Sequence, residues 1–282
     1  MTVSALIEPA ALAARLADDN LVIFDASWHM PAAARSGRAE YEAAHIPGAL
    51  FFDIDAISDR ATDLPHMLPS ESDFAAAMCA AGVGNDSDIV VYDAHGLFSA
   101  ARAWWMLRAF GHERVSVLNG GLPAWRAAGL PLSSDAEEAK KDASFVARLQ
   151  PTKLRSKRQV TDNLITRREQ IVDARSAPRF SNSVAEPRPG LRSGRIPGSF
   201  NVPYTDLLDD EGIRLRSSAE IAAIFQNAGA DPSRPITTSC GSGVTACVLT
   251  LALSVAGFPD VAVYDGSWAE WGADHAAPIE AD

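Results

Sequence analysis

The sequence predicts an α/β protein built as two tandem copies of one domain, each a parallel sheet flanked by helices on both faces. Two observations predict it. Four motifs recur in the same order at nearly constant spacing, and within each copy short apolar runs alternate with longer segments patterned for helix. Size agrees, since 282 residues exceed one small domain and suit two of about 140 residues.

The repeat is read motif by motif. Leu21-Val-Ile-Phe-Asp25-Ala returns as Gln170-Ile-Val-Asp173-Ala, and His45-Ile-Pro-Gly48 returns as Arg195-Ile-Pro-Gly198. Asp88-Ile-Val-Val-Tyr-Asp93 returns as Pro235-Ile-Thr-Thr-Ser-Cys240, and Val115-Ser-Val-Leu-Asn-Gly-Gly-Leu-Pro-Ala-Trp125 as Val261-Ala-Val-Tyr-Asp-Gly-Ser-Trp-Ala-Glu-Trp271. Counted from Asp25 to Asp173, His45 to Arg195, Asp93 to Cys240 and Trp125 to Trp271, the offsets are 148, 150, 147 and 146 residues. Four ordered matches at one spacing imply duplication.

Within each copy, runs of Val, Ile and Phe at 21–24, 89–92 and 115–118, then 171–172, 236–238 and 261–264, read as buried parallel strands. Segments with Ala and Leu at helical spacing lie between them: Phe74–Ala81, Ser99–Phe110, Ala219–Ala228 and Val244–Ala256. These place one domain at 1–138, a linker at 139–155 and a second domain at 156–282. The surrounding stretch from Ser133 to Arg158 is rich in charge and Ser, and a strand at Phe145–Leu149 is expected to join a sheet edge.

Composition narrows the partners. A formal charge of -11, with 47% hydrophobic and 22% charged residues, describes a globular protein repelled by nucleic acid and acidic membrane surfaces. No apolar run reaches the roughly 20 residues a membrane span needs. Cys79, Cys240 and Cys247 are an odd number without framework spacing, which argues against a disulfide scaffold and for a reducing compartment. Glu8, Asp18 and Asp19 do not suit a transit peptide, so a cytoplasmic location is expected. His29, His45, His95, His112 and His275 show no metal-ligand spacing, and no metal or other cofactor is expected.

Chemistry concentrates at Cys240. In open α/β sheets ligands gather at the carboxyl ends of the strands, and Cys240 ends the run Ile236–Ser239, just before a helix that starts near Val244. Gly241 and Gly243 let the loop Cys240-Gly-Ser-Gly-Val-Thr-Ala246 turn tightly, with backbone N–H groups facing inward. Those donors and the helix N-terminus form an anion site. Such a site favours a thiolate, and equally a terminal persulfide anion. Cys79, among alanines, and Cys247, inside the following helix, read as buried packing residues. Asp93 occupies the position of Cys240 in the first copy. A carboxylate cannot take up sulfur, so only the second copy is expected to be catalytic. Trp104, Trp105, Trp125, Trp268 and Trp271 are expected to fill the cores, and His45 to serve structure.

On these residues the chain resembles the rhodanese superfamily in its tandem-domain form, over nearly its whole length. Its cysteine loop resembles that of the 3-mercaptopyruvate sulfurtransferases, whereas tandem thiosulfate sulfurtransferases usually carry basic residues where Gly241 and Ser242 stand here. A neutral loop suits a donor whose charge lies on a distant carboxylate rather than a dianion at the sulfur. The resemblance implies a persulfide on Cys240, with substrate held by Arg179, Arg188 and the loop residues Gly241, Gly243, Val244 and Thr245. The two arginines lie nine residues apart on the loop after Asp173, and arginine pairs bidentately with carboxylates. The resemblance also implies a relay of Asp55, His66 and Ser242 beside the cysteine. The partners it implies are a small-molecule sulfur donor and a thiol, thioredoxin-like or cyanide acceptor. Three other readings are the same fold acting on thiosulfate, a cysteine phosphatase of the same fold, and a non-catalytic binding module. The phosphatase reading fails at Ala246, where a Cys-x5-Arg loop requires arginine.

Overall fold

The β-branched and aromatic runs fold as strands because each is buried on both sides. The computed structural model describes residues 3–139, 143–231, 233–258 and 260–281, and the chain divides into two compact units. The first comprises Met1–Asp59, Leu68–Gln150 and Asp210–Leu215; the second comprises Arg60–Met67, Pro151–Asp209 and Arg216–Asp282. Each unit thus contains a segment distant in sequence from its main body. The segment carrying His66 belongs to the second unit.

The first unit contains β1 (Leu6–Ile7), α1 (Pro9–Ala13), β2 (Leu21–Asp25), α2 (Gly37–Ala43), β3 (Ala49–Phe51), α3 (Glu71–Ala80), β4 (Asp88–Tyr92), α4 (Ala100–Ala109), β5 (Val115–Leu118) and α5 (Gly121–Ala127). The second contains β6 (Leu154–Arg155), α6 (Lys157–Thr166), β7 (Gln170–Asp173), α7 (Ala177–Phe180), β8 (Phe200–Asn201), α8 (Ser218–Asn227), β9 (Ile236–Ser239), α9 (Val244–Val255), β10 (Val261–Tyr264) and α10 (Ser267–Trp271). Each sheet is parallel and five-stranded, in the order β1-β5-β4-β2-β3 and β6-β10-β9-β7-β8. The second order repeats the first strand for strand, as a duplication requires.

Every residue of β2, β5, β7 and β9 is buried. Successive side chains in a strand point to opposite faces, so burial of all of them means helices cover both faces. The strand β9 is polar beyond its first residue, yet it stays in the sheet because its two threonine hydroxyls find partners. Thr237 donates to Glu169 Oε2 at 2.5 Å, and Thr238 shares a 2.9 Å hydrogen bond with Thr250 of α9. Trp104, Trp105, Trp125, Trp268 and Trp271 are all buried, as expected.

The segment at Phe145–Leu149 is not a strand. It runs extended over helices of the first unit. Phe145 N donates to Cys79 Sγ, Val146 N to Asn85, Arg148 N to Phe110 O and Leu149 N to Glu71. Four of its backbone donors are thus taken up by side chains and a helix end rather than by a strand. Cys79 is half-buried at this contact, whereas Cys247 is fully buried. Lys140, Lys141 and Asp142 of the charged stretch lie outside the described residues.

The two copies differ at one buried carboxyl. Asp173 is tied to the guanidinium of Arg175 at 2.7 Å, but in the first copy the residue two after Asp25 is Ser27. Asp25 is 1% exposed and receives Ser27 N at 2.9 Å. Burial pushes its pKa from 3.8 up to about 6, against the lowering effect of Ser27 and Tyr92. The folded state therefore holds a proton that the unfolded state has released between those values, and stability falls as pH rises through that window. At 1.36 kcal/mol per pH unit the cost at neutral pH is about 3 kcal/mol. Asp25→Asn is expected to stabilise the protein at pH 7 by up to about that amount and to have little effect near pH 4. Urea unfolding midpoints at the two pH values measure it, and an equal effect at both would refute the assignment.

Candidate active site

Cys240 stands at the carboxyl end of the central strand β9, 2% exposed. Its loop is clamped from below by the start of α10. Trp268 N donates to Cys240 O at 2.9 Å, Ala269 N donates to Gly241 O at 2.8 Å, and Cys240 N donates to Ser267 Oγ at 3.1 Å. Ser267 Oγ in turn donates to Tyr264 O at 2.8 Å. The fourth repeated motif therefore has a purpose that sequence reading left open: it supplies the donors that hold the cysteine loop. In the first copy Leu122 N makes the matching bond to Asp93 O at 3.0 Å.

Above this clamp, Gly243 has φ of 81° and opens α9, a backbone state for which glycine is suited. The turn brings Gly243 N to 3.2 Å from Cys240 Sγ. Val244 and Thr245 form the first turn of α9. The Val244 side chain is buried in the core, so it is the backbone N–H groups of this turn that point toward the loop. Cys247 Sγ lies one turn further on and donates to Gly243 O.

The first copy shows what this kind of loop accommodates. The buried Asp93 carboxylate accepts from His95 N and Gly96 N at 2.9 and 3.0 Å, and from Phe98 N and Ala100 N, both at 2.8 Å. Four N–H donors thus converge on one anion at the strand end that matches Cys240. His95 and Gly96 follow Asp93 by two and three residues, as Ser242 and Gly243 follow Cys240.

Two arginines reach the cysteine loop from the segment after β7. Arg179, in α7, and Arg188 both bring guanidinium nitrogens over Gly241; a methyl group placed there would lie 3.2 Å from Arg179 Nη2 and 3.7 Å from Arg188 Nη1. The missing side chain of Gly241 is the room they occupy. Arg188 Nη2 donates to Ser242 Oγ at 3.2 Å. His66, buried with φ of 65°, places Nδ1 at 3.1 Å from Ser242 Oγ and 3.2 Å from Ser242 O. A carbonyl only accepts, so the contact calls for a proton on Nδ1. Ser242 Oγ then receives two donors, and its own hydroxyl proton is directed elsewhere. Asp55 stands in the first unit, where its Oδ2 accepts from Trp28 Nε1 at 3.0 Å.

Sequence reading missed the buried carboxylate behind these arginines. The Glu186 side chain is 1% exposed, with Oε1 accepting from Arg175 Nη1 at 2.8 Å and Oε2 from Arg179 Nη2 at 2.5 Å. Arg175 is itself buried; it pairs with Asp173, donates to Gly194 O at 2.9 Å and stacks 4.2 Å over the Trp268 ring. Burial works to lower the Arg175 pKa, but Asp173 and Glu186 outweigh it and hold it above its ordinary value. The signal was present as Asp173-Ala-Arg175 and Glu186-Pro-Arg188 flanking Arg179. Nothing in that spacing says which charges pair and which face the loop.

The Rhodanese-like domain family matches residues 8–128 and again 156–274, the two stretches that carry the repeat. This chain belongs to the rhodanese family. It is 48% identical to the 3-mercaptopyruvate sulfurtransferase of Escherichia coli (strain K12), over 95% of this chain and 95% of that protein. It is 47% identical to the 3-mercaptopyruvate sulfurtransferase of Homo sapiens, over 93% of this chain and 88% of that protein. Among solved structures, the Escherichia coli SseA crystal structure, described as the rhodanese fold of 3-mercaptopyruvate sulfotransferases, matches with a TM-score of 0.84 and 42% identity. That match covers 94% of this chain and 99% of the other. The resemblance read from the cysteine loop is thereby borne out, as is the fold of two tandem rhodanese domains. No helix among the described residues is long and apolar enough to cross a membrane.

Proposed function

We propose that this rhodanese is a sulfurtransferase that takes sulfur from 3-mercaptopyruvate, carries it as a persulfide on Cys240, and releases pyruvate. The observation that carries the reading is the set of groups around one buried sulfur. Gly243 N–H lies on Cys240 Sγ, and Arg179, Arg188 and Ser242 surround the open position above Gly241. The Asp93 carboxylate held by the sister loop supports the idea that such a loop stabilises an anion. The second copy is the catalytic one on this reading, and the first lends structure.

Arg179 and Arg188 hold the donor's carboxylate and bring its sulfur against Cys240. The Cys240 thiolate attacks that sulfur. An S–S bond forms, the carbon–sulfur bond breaks, and its electron pair goes to carbon as the enolate of pyruvate. The enolate takes up the proton that Cys240 gave up, so that donor and cysteine become pyruvate and Cys240 persulfide. We assign this protonation to Ser242; donors from His66 and Arg188 into its Oγ, which make the hydroxyl more acidic and aim its proton outward, support the assignment. The outer sulfur then passes to an acceptor thiolate, such as that of a thioredoxin-like protein, or to cyanide. Three free thiols suit a reducing compartment, and we assign the protein to the cytoplasm.

A second reading, thiosulfate as donor, draws on the position of Arg179 and Arg188. They bring positive charge to the very place where Gly241 itself contributes none. Initial rates with each donor and a common cyanide acceptor decide. We expect mercaptopyruvate to give the higher kcat/KM; a thiosulfate value well above it would overturn the assignment.

A further inference from the structure

We infer that Glu186 is a specificity-determining positioning residue, which sets the positive charge that Arg179 offers and so selects a singly charged donor over a doubly charged one. The inference deepens the function proposed above and rests on that reading. Its basis is the chain of ion pairs running inward from the cysteine loop: Arg179 to Glu186, Glu186 to Arg175, and Arg175 to Asp173. Two carboxylates face two guanidiniums along it, so the charge of Arg179 is matched before any substrate arrives.

Burial gives this balance its force. The Glu186 side chain is 1% exposed and that of Arg175 is not exposed at all, while Arg179 is 22% exposed and ends against Gly241. Glu186 is thus held in place by a guanidinium that cannot move away, itself fixed by Asp173, Gly194 O and the Trp268 ring. Arg179 keeps one edge for Glu186, with Nη2 at 2.5 Å and Nε at 3.3 Å, and can present only the remainder to a substrate. A ketoacid with one carboxylate needs that geometry more than it needs added charge. A dianion whose charge lies at the transferred sulfur group would gain twice as much as a monoanion from each added positive charge.

Glu186→Gln keeps the size and one acceptor but removes the negative charge. Kinetics with 3-mercaptopyruvate and with thiosulfate, each against cyanide, give the ratio of the two kcat/KM values. For Glu186→Gln we expect this ratio to move about tenfold toward thiosulfate, mainly through KM. Glu186→Asp, which keeps the charge, should retain the wild-type ratio even if both KM values rise. Should thermal melting show Glu186→Gln to be unfolded, Arg179→Gln serves instead: it removes a positive charge from the loop and leaves Glu186 paired with Arg175 alone, so both donors lose affinity, the dianion loses more, and the ratio should move toward mercaptopyruvate. A folded variant with an unchanged ratio overturns the inference. If wild type itself prefers thiosulfate, the donor assignment fails, and the direction of the ratio change in the variants still reports separately on Glu186.

Discussion

Replacing Cys240 by Ser is expected to abolish sulfur transfer from every donor, lowering turnover by more than about 10³-fold while leaving the fold intact. The reasoning is local. Ser occupies the space of Cys, and the loop is held by backbone donors from Trp268 and Ala269 and by Cys240 N donating to Ser267 Oγ, none of which involves the sulfur. Melting temperature should therefore change little. The oxygen nucleophile cannot form a persulfide, so no intermediate is available to any acceptor. Cys247 offers no substitute, being buried inside α9 with its thiol donated to Gly243 O. Activity with cyanide in Cys240→Ser at more than a few per cent of wild type would place the nucleophile elsewhere.

Arg188→Ala carries the second largest effect. Arg188 both reaches over Gly241 and donates to Ser242 Oγ, so its removal takes away a carboxylate partner and one of the donors that polarise the hydroxyl. We expect kcat/KM for mercaptopyruvate to fall about 100-fold, near 3 kcal/mol, within the range for truncating one side of a charged hydrogen-bonded pair. Most of the loss should fall in KM. Arg188→Lys should recover only part of it, because a point charge cannot make the two parallel bonds of a guanidinium. A loss confined to kcat would instead assign Arg188 to proton transfer through Ser242. Pre-steady-state pyruvate release separates the two effects.

Much of this architecture was legible in the chain because duplication prints every important feature twice. The strands ending at Asp25, Tyr92, Asp173 and Ser239 are short apolar or β-branched runs with no competing pattern, and each was placed within a residue or two. The cysteine loop was legible because Gly241 and Gly243 have no packing use after a strand. Strands of two residues, such as Leu6–Ile7 and Leu154–Arg155, were not legible, since two residues cannot display a period. The extended segment at Phe145–Leu149 misled for a related reason. Its backbone is extended, but what it faces is helix and side chain rather than a strand edge.

The site was legible in its ends and not in its middle. Arg179 and Arg188 could be named from chemistry and resemblance, but Glu186 reads in sequence as one more charge on a polar loop. Its burial depends on Arg175, and that of Arg175 depends on Asp173 and on Trp268 of α10, far along the chain. Only folding brings these together. The same holds for His66, whose contact with Ser242 spans 176 residues of sequence and was carried by the resemblance alone.

The central claim is that sulfur resides covalently on Cys240 during turnover. Intact-protein and peptide mass spectrometry after treatment with 3-mercaptopyruvate, without acceptor, tests it most directly. The account predicts a gain of one sulfur atom, located on the peptide containing Cys240, lost on adding cyanide and absent in Cys240→Ser. Pyruvate release with no added sulfur on that peptide, or the added sulfur found on Cys247 or Cys79, would contradict it.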